Sequence, residues 1–197
     1  MRRGLGTPAA AVPMAALMVA LMATAGAAVD LPRKSPALAI GLNGGKQLPL
    51  DNYKGKAVLL AFILTTCPHC QHTTGLLKQL QAEYGPRGLQ VVEAAIDQGA
   101  EALVPGFVLH FDPNFPVGFV SYDMAAEYLQ HSPMLIMHVP ALVFLDRQGT
   151  IRAEYEGDDK FFSEDVQEKN LRDQIEKLLH SGDMTRKTQT GKAAAKN

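Results

Sequence analysis

The chain has 197 residues, of which 47% are hydrophobic and 20% charged, and its formal net charge is −1. That is enough for one domain with a proper core and too little for two comfortable ones. Acidic residues outnumber basic ones through the middle of the chain, and the absence of a basic field there speaks against nucleic acid as a partner.

The first 27 residues read as an export signal. Arg2 and Arg3 supply the positive start, Met14–Ala23 the apolar run, and Ala25-Gly26-Ala27 a small-x-small cleavage pattern. The alternative is an uncleaved membrane anchor. No cysteine falls in this region to carry a lipid. Either way the remainder lies in a periplasmic or other extracytoplasmic space, where disulfides persist.

Residues 30–36, with Pro32 and Pro36, read as a lead-in rather than a packed element. After the Gly44-Gly45 turn, Gln47–Leu50 is expected as a short strand. Ala57–Leu64 is an unbroken apolar run whose length suits a strand buried on both faces. Beyond the cysteines, Leu76, Leu77, Leu80 and Tyr84 recur at helical spacing until Gly85-Pro86. Leu89–Ile96 is a second strand, which makes a right-handed βαβ unit. A helix is expected from Pro105 to Phe111, a strand over Phe115–Val120 and a short helix over Asp123–Leu129. Ala141–Leu145 and Thr150–Tyr155 read as a hairpin about Asp146-Arg147-Gln148-Gly149. The closing helix starts at an N-cap Ser163, buries Leu171, Ile175, Leu178 and Leu179, and stops at Gly182. Residues 183–197 are polar, Lys-rich and expected to be disordered. The reading is one α/β domain, 28–182, with a central mixed β-sheet flanked by helices.

The two cysteines of the chain stand in Cys67-Pro68-His69-Cys70, between an apolar strand and a helix. This places Cys67 at the helix N-terminus, where unpaired backbone N–H groups and the helix dipole favour the thiolate, the reactive form of the thiol. Pro68 suits the first helical position, since its missing N–H costs nothing there. His69 adds a donor, or a positive charge, near the Cys67 sulfur. Cys70 lies one turn further in, placed to attack a mixed disulfide made by Cys67. A purely structural disulfide would close a tiny loop of little entropic value. A zinc site would want a second C-x-x-C, and covalent haem would want His where Gln71 stands.

Gly55–Cys70, Leu89–Asp97, Val139–Ile151 and the closing helix together resemble the thioredoxin superfamily, especially the exported TlpA/redoxin group. The resemblance covers about residues 35–181. It implies a thioredoxin-like fold and an exported thiol-disulfide oxidoreductase. The implied partners are protein dithiols or disulfides and a membrane or periplasmic redox protein, with no cofactor. It further implies that Pro140 is cis and that Thr66, Val139 and Pro140 form the surface against which a substrate chain lies. The Pro-His pair between the cysteines is also found in DsbA-type oxidants. In departure from the family, Thr66 replaces the usual Trp, Thr73 and Gly75 replace a Glu and a Pro, and Ala61 stands where thioredoxin has a buried Asp. The usual proton relay is thereby missing. Glu93, inside the apolar run Leu89–Ile96, is the candidate replacement, lying under Cys70 as its base. The alternative is that this strand is partly open and Glu93 faces water. His72 is expected on an exposed helix face, and His138 near the active face or in a structural role. His131, Met134, Met137 and His138 suggest either a copper-binding cluster or an apolar flap over the redox site. Hence a copper carrier is one alternative function. A peroxiredoxin-like peroxidase is another, against which stands Leu64 in place of the usual Thr.

Overall fold

The computed structural model describes residues 30–194. The expected export segment, 1–27, lies outside them. Among the described residues no helix is long and apolar enough to cross a membrane.

Eight strands form one mixed sheet: β1 (Arg33–Lys34), β2 (Ala39–Leu42), β3 (Lys46–Pro49), β4 (Ala57–Ile63), β5 (Leu89–Ala95), β6 (Val117–Phe119), β7 (Ala141–Leu145) and β8 (Thr150–Tyr155). Their spatial order is β1-β8-β7-β4-β5-β6-β2-β3. The three strands β4, β5 and β6 run parallel to one another, and β7 lies antiparallel to β4 on its other side. All seven residues of β4 are buried, as its unbroken apolar run requires of a central strand. Among the described residues four α-helices complete the fold: α1 (Pro68–Tyr84), α2 (Ala100–Phe111), α3 (Tyr122–Leu129) and α4 (Gln167–Ala194).

Side chains alternate across the sheet with a period of two, and this divides the core. Leu59, Ala61 and Ile63 of β4 and Val91 and Ala95 of β5 face Leu77 and Leu80 of α1, Val104 of α2 and Leu171 and Ile175 of α4. Val58, Leu60 and Phe62 of β4, with Val92 and Ala94 of β5, face Tyr128 and Leu129 of α3. The fold is therefore thioredoxin-like, with helices on both faces of the sheet.

Several boundaries differ from the sequence reading. Residues 33–34, inside the expected lead-in, form an edge strand against β8. Strand β2 escapes sequence patterning because it is four residues long and contains Gly41. Helix α2 starts at Ala100, behind Gly99 at φ 76°, and contains Pro105 in its interior. The carbonyl that Pro105 leaves without a donor belongs to Glu101, which is exposed and so open to water. Helix α4 starts at Gln167, four residues past Ser163, whose carbonyl accepts from the N–H groups of Val166 and Gln167 in a turn ahead of the helix. Nor does Gly182 stop α4, which continues to Ala194, so residues 183–194 of the expected disordered tail are helical. A single interior glycine costs a helix only about 1 kcal/mol. Residues 195–197 lie outside the described part.

Candidate active site

Strand β4 delivers the chain to a short turn, Leu64–Thr66, that is held on two sides. Asp97, just past β5, accepts from the Thr65 backbone N–H at 2.9 and 3.1 Å and from the Thr65 hydroxyl at 2.9 Å. The Gln71 amide donates to the Thr65 carbonyl at 2.9 Å. The turn thus aims the start of α1 from two anchors.

Cys67 is the N-cap of α1, with extended φ −78° and ψ 120°, and Pro68 follows in the first turn. The Cys70 backbone N–H donates to Cys67 Sγ at 3.4 Å, so the sulfur takes the place usually held by a capping oxygen. An orphan amide and the positive end of the helix therefore meet the Cys67 sulfur. Cys67 is half-buried, whereas Cys70 is fully buried one turn behind. Burial is the main cause pushing the Cys70 thiol far up from its ordinary value. A backbone hydrogen bond at Leu64 opposes it, and the neighbouring Cys67 and Glu93 add to it. The geometry leaves one sulfur accessible at the start of the helix, and the other shielded and proton-retaining.

Glu93 is entirely buried, not facing water. In the β4–β5 ladder it pairs with Ala61, and it belongs to the face that α1 covers. Two strand residues in one row point the same way, so the small Ala61 leaves space for the Glu93 side chain beneath the helix. Thr74 connects it to the redox pair: its hydroxyl lies 2.9 Å from Glu93 Oε1 and 3.0 Å from the Cys70 carbonyl. That hydroxyl has one proton for two acceptors. When it goes to Cys70, a protonated Glu93 completes the chain by donating to the Thr74 oxygen. The second carboxyl oxygen, Oε2, is buried and has no hydrogen-bond partner among the described residues. Burial pushes the Glu93 carboxyl up to about 8, against the lowering effect of the Thr74 hydrogen bond.

His69 is exposed between the cysteines. Its carbonyl accepts from the Thr73 hydroxyl at 2.8 Å, and the buried Gln167 amide of α4 donates to that same hydroxyl oxygen at 2.8 Å. His69, Thr73, Pro140, Gly157, Phe162 and Gln167 share a surface depression of about 220 Å³. The Val139–Pro140 peptide bond is cis. Pro140 is buried, and half-buried Val139 packs on the core cluster that includes Cys70. Thr66 and Pro68 are exposed at the same end of the sheet.

The four proposed copper ligands do not converge. Met137 is buried in the α3-side core and Met134 is 89% exposed, while both ring nitrogens of His131 are engaged, by Glu156 at 2.9 Å and the Leu135 carbonyl at 3.2 Å. Met134, Leu135 and Ile136 are exposed at the tip of this loop. His72 is exposed on α1.

Three contributors escaped sequence reasoning. Thr74 looked like any helical threonine. Asp97 carried a usable signal, because it ends a strand at the same sheet edge as the cysteines. Gly157 packs against the cis peptide: a Cβ there would lie 2.5 Å from the Val139 carbonyl oxygen. Its N–H donates to the His138 carbonyl at 3.0 Å.

The sequence pattern of the AhpC/TSA family matches residues 32–154. Among curated proteins, a thiol-disulfide oxidoreductase ResA of Bacillus thuringiensis subsp. konkukian is 24% identical over 130 residues, covering 66% of this chain and 72% of that protein. The thioredoxin-like protein YneN of Bacillus subtilis is 26% identical over 121 residues, covering 61% and 68%. Among solved structures, a thioredoxin-family thiol:disulfide interchange protein of Chlorobium tepidum superposes with a TM-score of 0.62 at 19% identity, covering 77% of this chain and 99% of that one. The thioredoxin domain of a Bacteroides vulgatus thiol-disulfide oxidoreductase gives 0.60 at 20% identity, covering 77% and 99%.

Proposed function

The chain belongs to the AhpC/TSA family, and from that premise we propose that it is an exported thiol-disulfide oxidoreductase that exchanges disulfides with protein partners through Cys67 and Cys70. The observation that carries the reading is the Cys67 sulfur seated as helix cap, on the Cys70 N–H, with the Cys70 thiol buried behind it.

In the reducing direction, the Cys67 thiolate attacks one sulfur of a partner disulfide. A mixed disulfide forms and the partner's other sulfur leaves as thiolate. Cys70 then gives up its proton and attacks Cys67 Sγ, releasing the second partner sulfur. The products are a Cys67–Cys70 disulfide and a partner dithiol, so two electrons pass from the pair to the partner. The reverse sequence oxidises a partner dithiol, and there Cys70 leaves as a buried thiolate that must be protonated.

Glu93 serves that proton in both directions, as base for the Cys70 thiol and as acid for its thiolate. With its carboxyl near 8, about a tenth of the molecules hold it ionised at pH 7 and the rest hold a proton ready to give. His69 tunes the Cys67 thiolate from its place between the cysteines. Thr66, Val139 and Pro140 frame the surface on which the substrate chain lies. Residues 1–27 direct export, which brings the pair to periplasmic protein substrates and to a redox partner in or near the membrane.

The test is exchange with a disulfide-bonded protein substrate. Cys67→Ser should abolish turnover, and Cys70→Ser should accumulate a mixed disulfide through Cys67. Intact exchange by Cys67→Ser overturns the reading.

A further inference from the structure

We propose that His138, Glu156 and Asp158 form a binding site for a divalent transition metal of the zinc class, which ties the segment before Pro140 to the loop after β8. One ligand atom from each of the three lies within 4.8 Å of the others. The separation of His138 Nδ1 and Asp158 Oδ2 is 3.5 Å, longer than a good hydrogen bond. It is close to the ~3.3 Å edge of a tetrahedron built on metal–ligand bonds of about 2.0–2.1 Å.

Two features hold the ligands in place before any ion arrives. Gly157 stands between Glu156 and Asp158. Its N–H donates to the His138 carbonyl, and its Cα has no room for a Cβ against Val139. The strand-end loop and the cis-proline loop are thereby pinned together at the residue that separates the two carboxylates. Glu156 is also held by two hydrogen-bonding groups, one of them, His131, outside the site. His131 Nδ1 lies 2.9 Å from its Oε1, and the His138 backbone N–H donates to its Oε2 at 3.2 Å. Metal-ligating carboxylates are typically steadied by outer hydrogen bonds of this kind.

One imidazole and two carboxylates balance a dication and offer nitrogen and oxygen donors without sulfur. That set suits zinc or manganese rather than copper(I). The site abuts Pro140, so a bound ion would stiffen the loop beside the redox pair. It does not use either cysteine.

The experiment is calorimetric titration of Zn²⁺ alone into the full chain with Cys67 and Cys70 locked as a disulfide, which removes the thiols as ligands. One ion per chain is expected. His138→Ala and Asp158→Asn should each weaken binding at least tenfold. Both side chains are more than half exposed, so these variants keep the fold. His180, whose Nδ1 sits 3.5 Å from Glu176 and which joins no group of three ligands among the described residues, supplies the control: His180→Ala should leave the affinity unchanged. Absence of binding to the oxidised protein, or equal affinity in the His138→Ala/Asp158→Asn double variant, overturns the proposal. Neither result bears on thiol exchange.

Discussion

Glu93→Gln replaces a buried carboxyl by an amide of the same shape that still accepts from Thr74, and so isolates the effect of charge. The Glu93 carboxyl is raised in the folded protein to about 8 from 4.5, with burial as its main cause. Each unit of difference is worth about 1.4 kcal/mol, so the full gap corresponds to about 5 kcal/mol. The sign follows from the direction. Below about pH 4.5 both folded and unfolded chains hold the proton, and nothing is lost. As the pH rises, the unfolded chain ionises while the folded one does not, and stability falls until the folded group titrates near 8. Between pH 5 and pH 8 the loss comes to about 3–4 kcal/mol. The assay is urea unfolding of the disulfide form, in which neither thiol titrates, at half-unit steps from pH 5 to 8. The Glu93→Gln protein should grow more stable relative to the parent as pH rises, by about that amount across the window. If the difference between the two stays within about 1 kcal/mol at every pH, Glu93 is not a buried neutral carboxyl, and its role as proton donor and acceptor falls with it.

Thr74→Val removes the one hydrogen bond that lowers the Glu93 pKa. The pH at which stability levels off should move up, and resolution of the mixed disulfide should slow; an unmoved midpoint in the same unfolding series argues against the Thr74 link. Gly157→Ala drives a methyl group to 2.5 Å from the Val139 carbonyl oxygen. Overpacking of this kind costs about 1–3 kcal/mol, read as a fall in denaturation midpoint, and the displaced cis-proline loop should raise KM for a protein disulfide more than it lowers kcat. Iodoacetamide should label Cys67 and spare Cys70 in the folded reduced protein, because burial both hides the Cys70 thiol and pushes it up; equal labelling, read by peptide mass, contradicts the assigned order of attack.

What the sequence determined by itself was local in origin. A buried strand, a C-x-x-C at the head of a helix and a proline before another apolar strand each announce themselves within a few residues, because strand length, helix capping and proline geometry are short-range physics. The boundaries went astray where the rule was weakest: at the brief strands β1 and β2, at Pro105 inside α2, and at Gly182 inside α4. Only the tertiary structure decided the fate of Glu93. A period of two says that it shares a face with Val91 and Ala95, but the burial of that face depends on α1 closing over it, and the room for a carboxyl depends on Ala61 in the neighbouring strand. The same holds for Asp97 reaching Thr65 and for Gly157 lying against Val139–Pro140: each joins residues far apart in the chain, and nothing in their own neighbourhoods sets the distance between them.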